Sequence, residues 1–241
     1  MTEAVALDRA GDQAAAPLGH RRTEVLVGAM FLLATVAYLA GSGLVASVTG
    51  DPGSLAVTDA ERSRLFAGVL LELVNCAAVV TIAVLLFPVL RRRSEAVAAG
   101  YLAARVIEAT ILAVGALAPV LLVTLGRAQV GDGGGTAVAD LLGRTVAAGE
   151  AAGFRTAMIA LGLGSLLLCH GLYHWRLVPR PLALLGYVGY ALLLVWGVLG
   201  VLQGRDPGMG LFVPGAVFEL AFPVWLFVRG LGAGQGWRAR R

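Results

Sequence analysis

Apolar residues run almost unbroken over about 25–48, 66–90, 96–125, 153–173, 182–203 and 211–228, and short polar stretches separate the runs. A helix needs roughly 20 apolar residues to cross the ~30 Å hydrocarbon layer of a bilayer. The pattern therefore predicts an all-α polytopic membrane protein, a compact bundle of six transmembrane helices. The first run, Val25–Val48, is too long for the apolar region of a cleavable signal peptide, about 7–15 residues, and reads as an uncleaved span. The third, Ala96–Leu125, exceeds what a crossing needs, so that helix is expected to be tilted, kinked or extended past the bilayer.

The polar punctuation sets the rest of the organisation. Residues 1–24, with Pro17, Gly19 and three Arg, read as a disordered cytoplasmic tail, and residues 230–241 as a basic one. Asp51, Pro52, Gly53 and Asp59 mark a loop, and Arg91–Glu95 a tight turn. The longest connection, 126–150, holds the run Gly131-Asp132-Gly133-Gly134-Gly135 and a weakly helical stretch from Ala137 to Ala148. His174–Pro181 and Gly204–Gly210 are the remaining links.

Composition agrees with the pattern. The 241 residues are 58% hydrophobic and 14% charged, against about 45–50% and 25% in soluble domains. All 19 basic residues are Arg. They lie mostly at span ends, which points to the anionic membrane surface and away from nucleic acid as their partner. Twelve sit on the side of the amino terminus and five on the other, leaving out Arg105 and Arg155 within spans. By the positive-inside rule both termini are expected in the cytoplasm. Cys76 and Cys169 fall in apolar stretches and read as packing residues.

Ionisable residues inside a span are costly and face the bundle interior. Span 2 carries Glu72 and Asn75. Span 3 carries Arg105 and Glu108, spaced to pair within one helix; Tyr101, Leu112 and Gly115 extend their stripe. A direct Glu72–Arg105 pair is not expected, because Glu72 falls about 9 Å nearer the far end than Glu108 at ~1.5 Å per residue. In span 4, Arg155, Met158, Gly162, Ser165 and Cys169 form one small, partly polar face. Arg155 has two readings, a polar residue of the bundle interior and a residue that snorkels to the outer interface. Span 6 carries Glu219, whose carbonyl loses its helical donor because Pro223 has no N–H. Pro88 and Pro119 free the carbonyls of Val84 and Gly115 in the same way. His170, Tyr173, His174 and Trp175 suit an interfacial belt.

Glu72, Asn75, Arg105, Glu108, Arg155 and Glu219 are thus the candidate polar or ligand-binding residues. Glu72, Glu108 and Glu219 outnumber Arg105 and Arg155 by one negative charge. Glu219 has no basic residue within a turn and is the acid expected to hold a proton or a cation. No catalytic, metal or cofactor motif is present: the glycine run lacks the Lys and Ser/Thr of a P-loop, and there is no HExxH or GxSxG.

Several segments together resemble a bacterial membrane family known as domain of unknown function 4386. They are Leu70-Leu71-Glu72-Leu73; Leu86-Phe87-Pro88-Val89-Leu90-Arg91; Gly100-Tyr101 with Arg105 and Glu108; Leu177-Val178-Pro179-Arg180-Pro181-Leu182 with Gly186; and Pro214, Phe218-Glu219-Leu220 and Trp225-Leu226-Phe227-Val228-Arg229-Gly230. The resemblance covers about residues 22–230. It implies a six-span bundle in the bacterial cytoplasmic membrane and no known activity. It singles out Glu72, Arg105, Glu108, Arg180 and Glu219. Pro181 departs from the aromatic residue that follows Arg in the family pattern.

The reading is a non-enzymatic bundle that handles a small ligand, a proton or an ion, its other partner being the lipid bilayer. A structural or regulatory subunit of another membrane complex is the second reading, and an intramembrane enzyme the third.

Overall fold

The computed structural model describes residues 18–49, 58–121, 123–124, 136–204 and 208–231. The segment up to Pro17, the Asp51–Gly53 turn, the Gly131–Gly135 run, Arg205 and the tail from Gly232 lie outside the described residues. Six long helices follow in order: α1 (Leu18–Thr49), α2 (Asp59–Arg91), α3 (Glu95–Gly115), α4 (Thr136–His174), α5 (Arg180–Gln203) and α6 (Val213–Val228), the last entered through a 3-10 turn at Met209–Phe212. Each of the six is long and apolar enough to cross a membrane, and no strand occurs among the described residues. This is a multi-pass membrane fold. Large apolar side chains such as Val36, Leu39, Leu70, Val114, Leu202 and Leu220 are exposed on its outer surface, where lipid is the compatible solvent.

The helices alternate in direction and pack in chain order, α1 on α2 through to α5 on α6. α6 then returns to α1 and closes a ring. The bundle has a proximal end, with the start of α1, the 91–95 turn, the link after His174 and the end of α6. The distal end carries the other connections.

Local chemistry explains the boundaries. Thr58 opens α2 with a capping box: its hydroxyl accepts from the Glu61 N–H, and the Glu61 carboxylate accepts from the Thr58 N–H at 2.7 Å. Ser94 caps α3, accepting from the Val97 N–H at 3.3 Å. The Leu177 N–H reaches back to the Leu172 carbonyl at 3.1 Å, with Arg176 left-handed at φ 53°, to stop α4.

Four boundaries differ from the hydropathy reading. α2 begins at Asp59 rather than Phe66, because the Thr58 capping box holds its polar first turns, so Asp59 lies in the helix and not in the loop. α1 begins at Leu18 rather than Val25, because its polar first turn is docked. Arg21 donates to the carbonyls of Leu226 and Phe227 at the end of α6, and Glu24 accepts from the Leu231 N–H at 2.8 Å. A cation at a helix C-terminus is favoured by the unpaired carbonyls there. Gly230, left-handed at φ 76°, passes against Glu24 where a Cβ would collide. α3 ends at Gly115, short of Leu125, and a separate helical turn covers 118–121. Pro119 cannot donate to Gly115, so the ladder breaks there. α4 begins at Thr136 rather than Gly153. The weakly helical stretch is continuous with the span, and Glu150 belongs to the helix rather than to a loop.

Close approach between helices depends on small residues, as expected where lipid supplies no hydrophobic drive. At Gly41 and Gly68, α1 and α2 touch backbone to backbone: a Cβ on either would meet the carbonyl oxygen of the other at 2.9 Å. At Gly189, α5 approaches α6 so closely that a Cβ would lie 2.6 Å from the Cα of Gly215.

Candidate functional site

The structure divides the six candidate residues among three places. Arg105 and Glu108 lie in the interior, 5% and 2% exposed, joined by an Nη1–Oε2 contact of 2.8 Å. The i, i+3 spacing on α3 places both on its buried face, with Tyr101 below them at 1%. α5 and α6 complete the group. Tyr190, 2% exposed, donates from its hydroxyl to Glu219 Oε1 at 3.1 Å. Glu219 is half-buried, and Arg105, Glu219, Tyr190 and Tyr101 are near enough to feel one another's charge. Counted from the proximal helix ends at ~1.5 Å per residue, Arg105, Tyr190 and Glu219 each sit about 15 Å deep. That is the middle of a ~30 Å bilayer.

Around the cluster the ring is aromatic. Phe218 stacks on Phe222 with ring centres 5.3 Å apart, Phe31 meets Phe222 edge-on at 5.4 Å, and Tyr190 meets Phe218 at 5.7 Å. Toward the proximal end Leu86, Leu90, Leu168, Leu172 and Leu226 are all at 1% exposure or less and fill the interior. One polar atom in the cluster is left over. The Arg105 Nε is buried and has no hydrogen-bond partner among the described residues. A buried donor without a partner forgoes solvation worth about 1–3 kcal/mol, more for a charged group.

Glu72 and Asn75 lie elsewhere, in a cleft toward the distal end. Tyr38, Glu72, Asn75, Ile111, Leu112, Gly115, Ala116, Glu150 and Phe154 line it. Arg105 and Glu108 are buried as the spacing predicts, but their ion pair closes within α3 and does not engage Glu72. Cys76, buried between the two groups, feels the charge of both Glu108 and Glu72.

Arg155 stands apart from both groups. Its side chain crosses Gly200 of α5, where a Cβ would meet the Arg155 Cδ at 2.9 Å. That puts the guanidinium stem by the C-terminal turn of α5, a favourable end for a cation. The rest of the α4 stripe is buried as its spacing predicts: Met158, Ser165 and Cys169 lie inside, and Gly162 packs on Leu194 of α5.

The Trp225-to-Gly230 and Glu219 segments close the ring against α1, and Arg105 and Glu108 sit at its centre, so the segments that carried the family resemblance meet in one fold. A model of that family, described as domain of unknown function (DUF4386), matches residues 26–230. The chain belongs to the DUF4386 family. No curated protein and no solved structure matches it.

Among the family-motif residues of this DUF4386 chain, Arg180 is exposed and joins neither group. Its guanidinium lies over the Tyr173 ring, 5.5 Å from the centroid, beside the stacked His170 and His174. Pro181 fits there because the first turn of a helix needs no N–H from it. Three site residues were missed in the sequence: Tyr190, Tyr38 and Glu150. Depth counting was the available signal for Tyr190, which matches Glu219 in distance from the proximal end. Glu150 was hidden by the placement of 136–150 in a loop.

Proposed function

We propose that this bundle exchanges protons at its centre. The observation that carries the reading is Glu219, held by the Tyr190 hydroxyl at mid-depth beside an Arg105–Glu108 pair that is already closed. Arg105 stays charged, so two carboxylates share one cation. The cluster balances when it holds one proton, and Glu219, with only a neutral hydroxyl as its direct partner, is the carboxylate that receives it. The distal cleft favours access from the distal end in this conformation, by way of Asn75 and Cys76, and exchange across the bilayer requires the leucine-filled proximal interior to open in turn. The arginine distribution favours the bacterial cytoplasmic membrane, with both termini in the cytoplasm and the distal end outside.

Two experiments test this. Alkaline phosphatase fused after Arg241 should be inactive and after Gly134 active; activity at Arg241 would reverse the orientation. The purified chain in liposomes loaded with a pH-sensitive dye should dissipate an imposed pH gradient faster than protein-free vesicles. Glu219→Gln, which mimics the protonated acid, should remove that excess while leaving the melting temperature unchanged. Equal rates for wild type and Glu219→Gln would leave the structural-subunit reading in its place.

A further inference from the structure

The distal cleft has a chemistry of its own. Its volume is about 50 Å³, room for an ion and a few waters. Four oxygen-bearing side chains line it: the carboxylates of Glu72 and Glu150, the Asn75 amide and the Tyr38 hydroxyl. None of the four makes a hydrogen bond or ion pair with a described residue. No basic side chain lines the cleft. Asn75 is only 7% exposed, yet its amide borders the cleft without a protein partner. Its amide opens onto the accessible space of the cleft, so water or a ligand there supplies the partner that the protein does not.

Backbone adds to the same side. The cleft ends on Gly115 and Ala116, the C-terminus of α3. The Gly115 carbonyl would be paired by the N–H of residue 119, which is a proline. The last carbonyls of a helix carry partial negative charge that favours cations. Ile111, Leu112 and Phe154 form the remaining wall, and an apolar wall strengthens the attraction between a cation and the two acids. Glu72 and Glu150 already act on each other electrostatically, and bringing like charges together is unfavourable until a cation lies between them.

We propose that the cleft binds a hard divalent cation of the calcium class. The two carboxylates match its charge. The donors are all oxygen, and Ca²⁺ accepts carboxylate, amide, carbonyl and water oxygens in an irregular shell. By residue counting at ~1.5 Å per residue, the cleft lies about 24–36 Å from the proximal ends, at the distal edge of the hydrocarbon layer, where an ion from water can enter. Bound there, the cation ties α1, α2, α3 and α4 together at the end of the bundle.

The test uses the full chain in detergent with Tb³⁺ as a probe for Ca²⁺, since Tyr38 in the cleft can sensitise its luminescence. Tb³⁺ emission should saturate and be displaced by CaCl₂, and CaCl₂ should raise the melting temperature above that in NaCl of equal ionic strength. Glu72→Gln and Glu150→Gln should each weaken Ca²⁺ displacement about tenfold or more. Glu219→Gln should leave it unchanged, which separates this site from the proton-exchanging centre. Three results would overturn the proposal: no Tb³⁺ or Ca²⁺ binding, binding indifferent to both Gln variants, or competition by methylammonium where Ca²⁺ has no effect.

Discussion

Arg105→Met is expected to be the most damaging single substitution of a side chain in the bundle, costing about 3–5 kcal/mol of stability. Met keeps the unbranched apolar stem of Arg and omits the guanidinium. The damage comes from what remains. Glu108 is 2% exposed and loses its partner at 2.8 Å, and Glu219 loses the positive charge that faces it across the ring. Two carboxyl groups that share one proton then stand in a low-dielectric interior without a cation. Replacing both members of the pair should be far milder, because a buried ion pair offsets little more than its own desolvation. The double variant Arg105→Met/Glu108→Gln should therefore recover most of the loss. Thermal unfolding in detergent reads all three proteins. A single variant within about 1 kcal/mol of wild type, or a double variant no better than the single, would show that the pair is not what holds this centre together.

How much of this was legible in the sequence depends on whether the information is local. Six apolar runs, each long enough to cross, predict six helices because bilayer thickness sets helix length directly. The Arg105–Glu108 pair was equally legible, since both residues lie on one helix face. What the runs conceal is polar residues recruited by docking. Leu18–Glu24 is helical because Arg21 and Glu24 find partners at the end of α6, and no hydropathy window sees a carbonyl 205 residues away. Glu150 was read as loop because Gly149, Gly153 and neighbouring polar residues dilute the apolar signal of the long α4. The partners of Glu219 were missed for the same reason. Arg105 and Tyr190 stand on other helices, and only the closure of the ring brings them to its level. Charge counting along the chain thus singled out Glu219 while omitting the neighbours that surround it.

Gly189→Ala is the second large effect expected, and the contrast with Gly215→Ala makes it specific. A methyl on Gly189 would meet the backbone of Gly215, the N at 2.5 Å and the Cα at 2.6 Å. Backbone cannot rotate out of the way as a side chain can, so α5 and α6 must separate. Overpacking typically costs about 1–3 kcal/mol, and a backbone obstacle places this site at the upper end. A methyl on Gly215 points differently: its nearest neighbours are Gly189 backbone atoms at 3.8–3.9 Å, an ordinary contact. Gly215→Ala should be close to neutral. The functional consequence follows from adjacency. Tyr190 is the next residue after Gly189, and Glu219 lies one helical turn after Gly215, so this contact sets the 3.1 Å reach of the Tyr190 hydroxyl. That bond is already long for O–H···O, normally ~2.5–3.0 Å, so relieving the overlap by about 1 Å breaks it. Gly189→Ala should therefore lower the melting temperature and also slow the pH-gradient dissipation assigned to Glu219, while Gly215→Ala changes neither. Equal behaviour of the two alanine variants would mean that the α5–α6 approach does not control the centre.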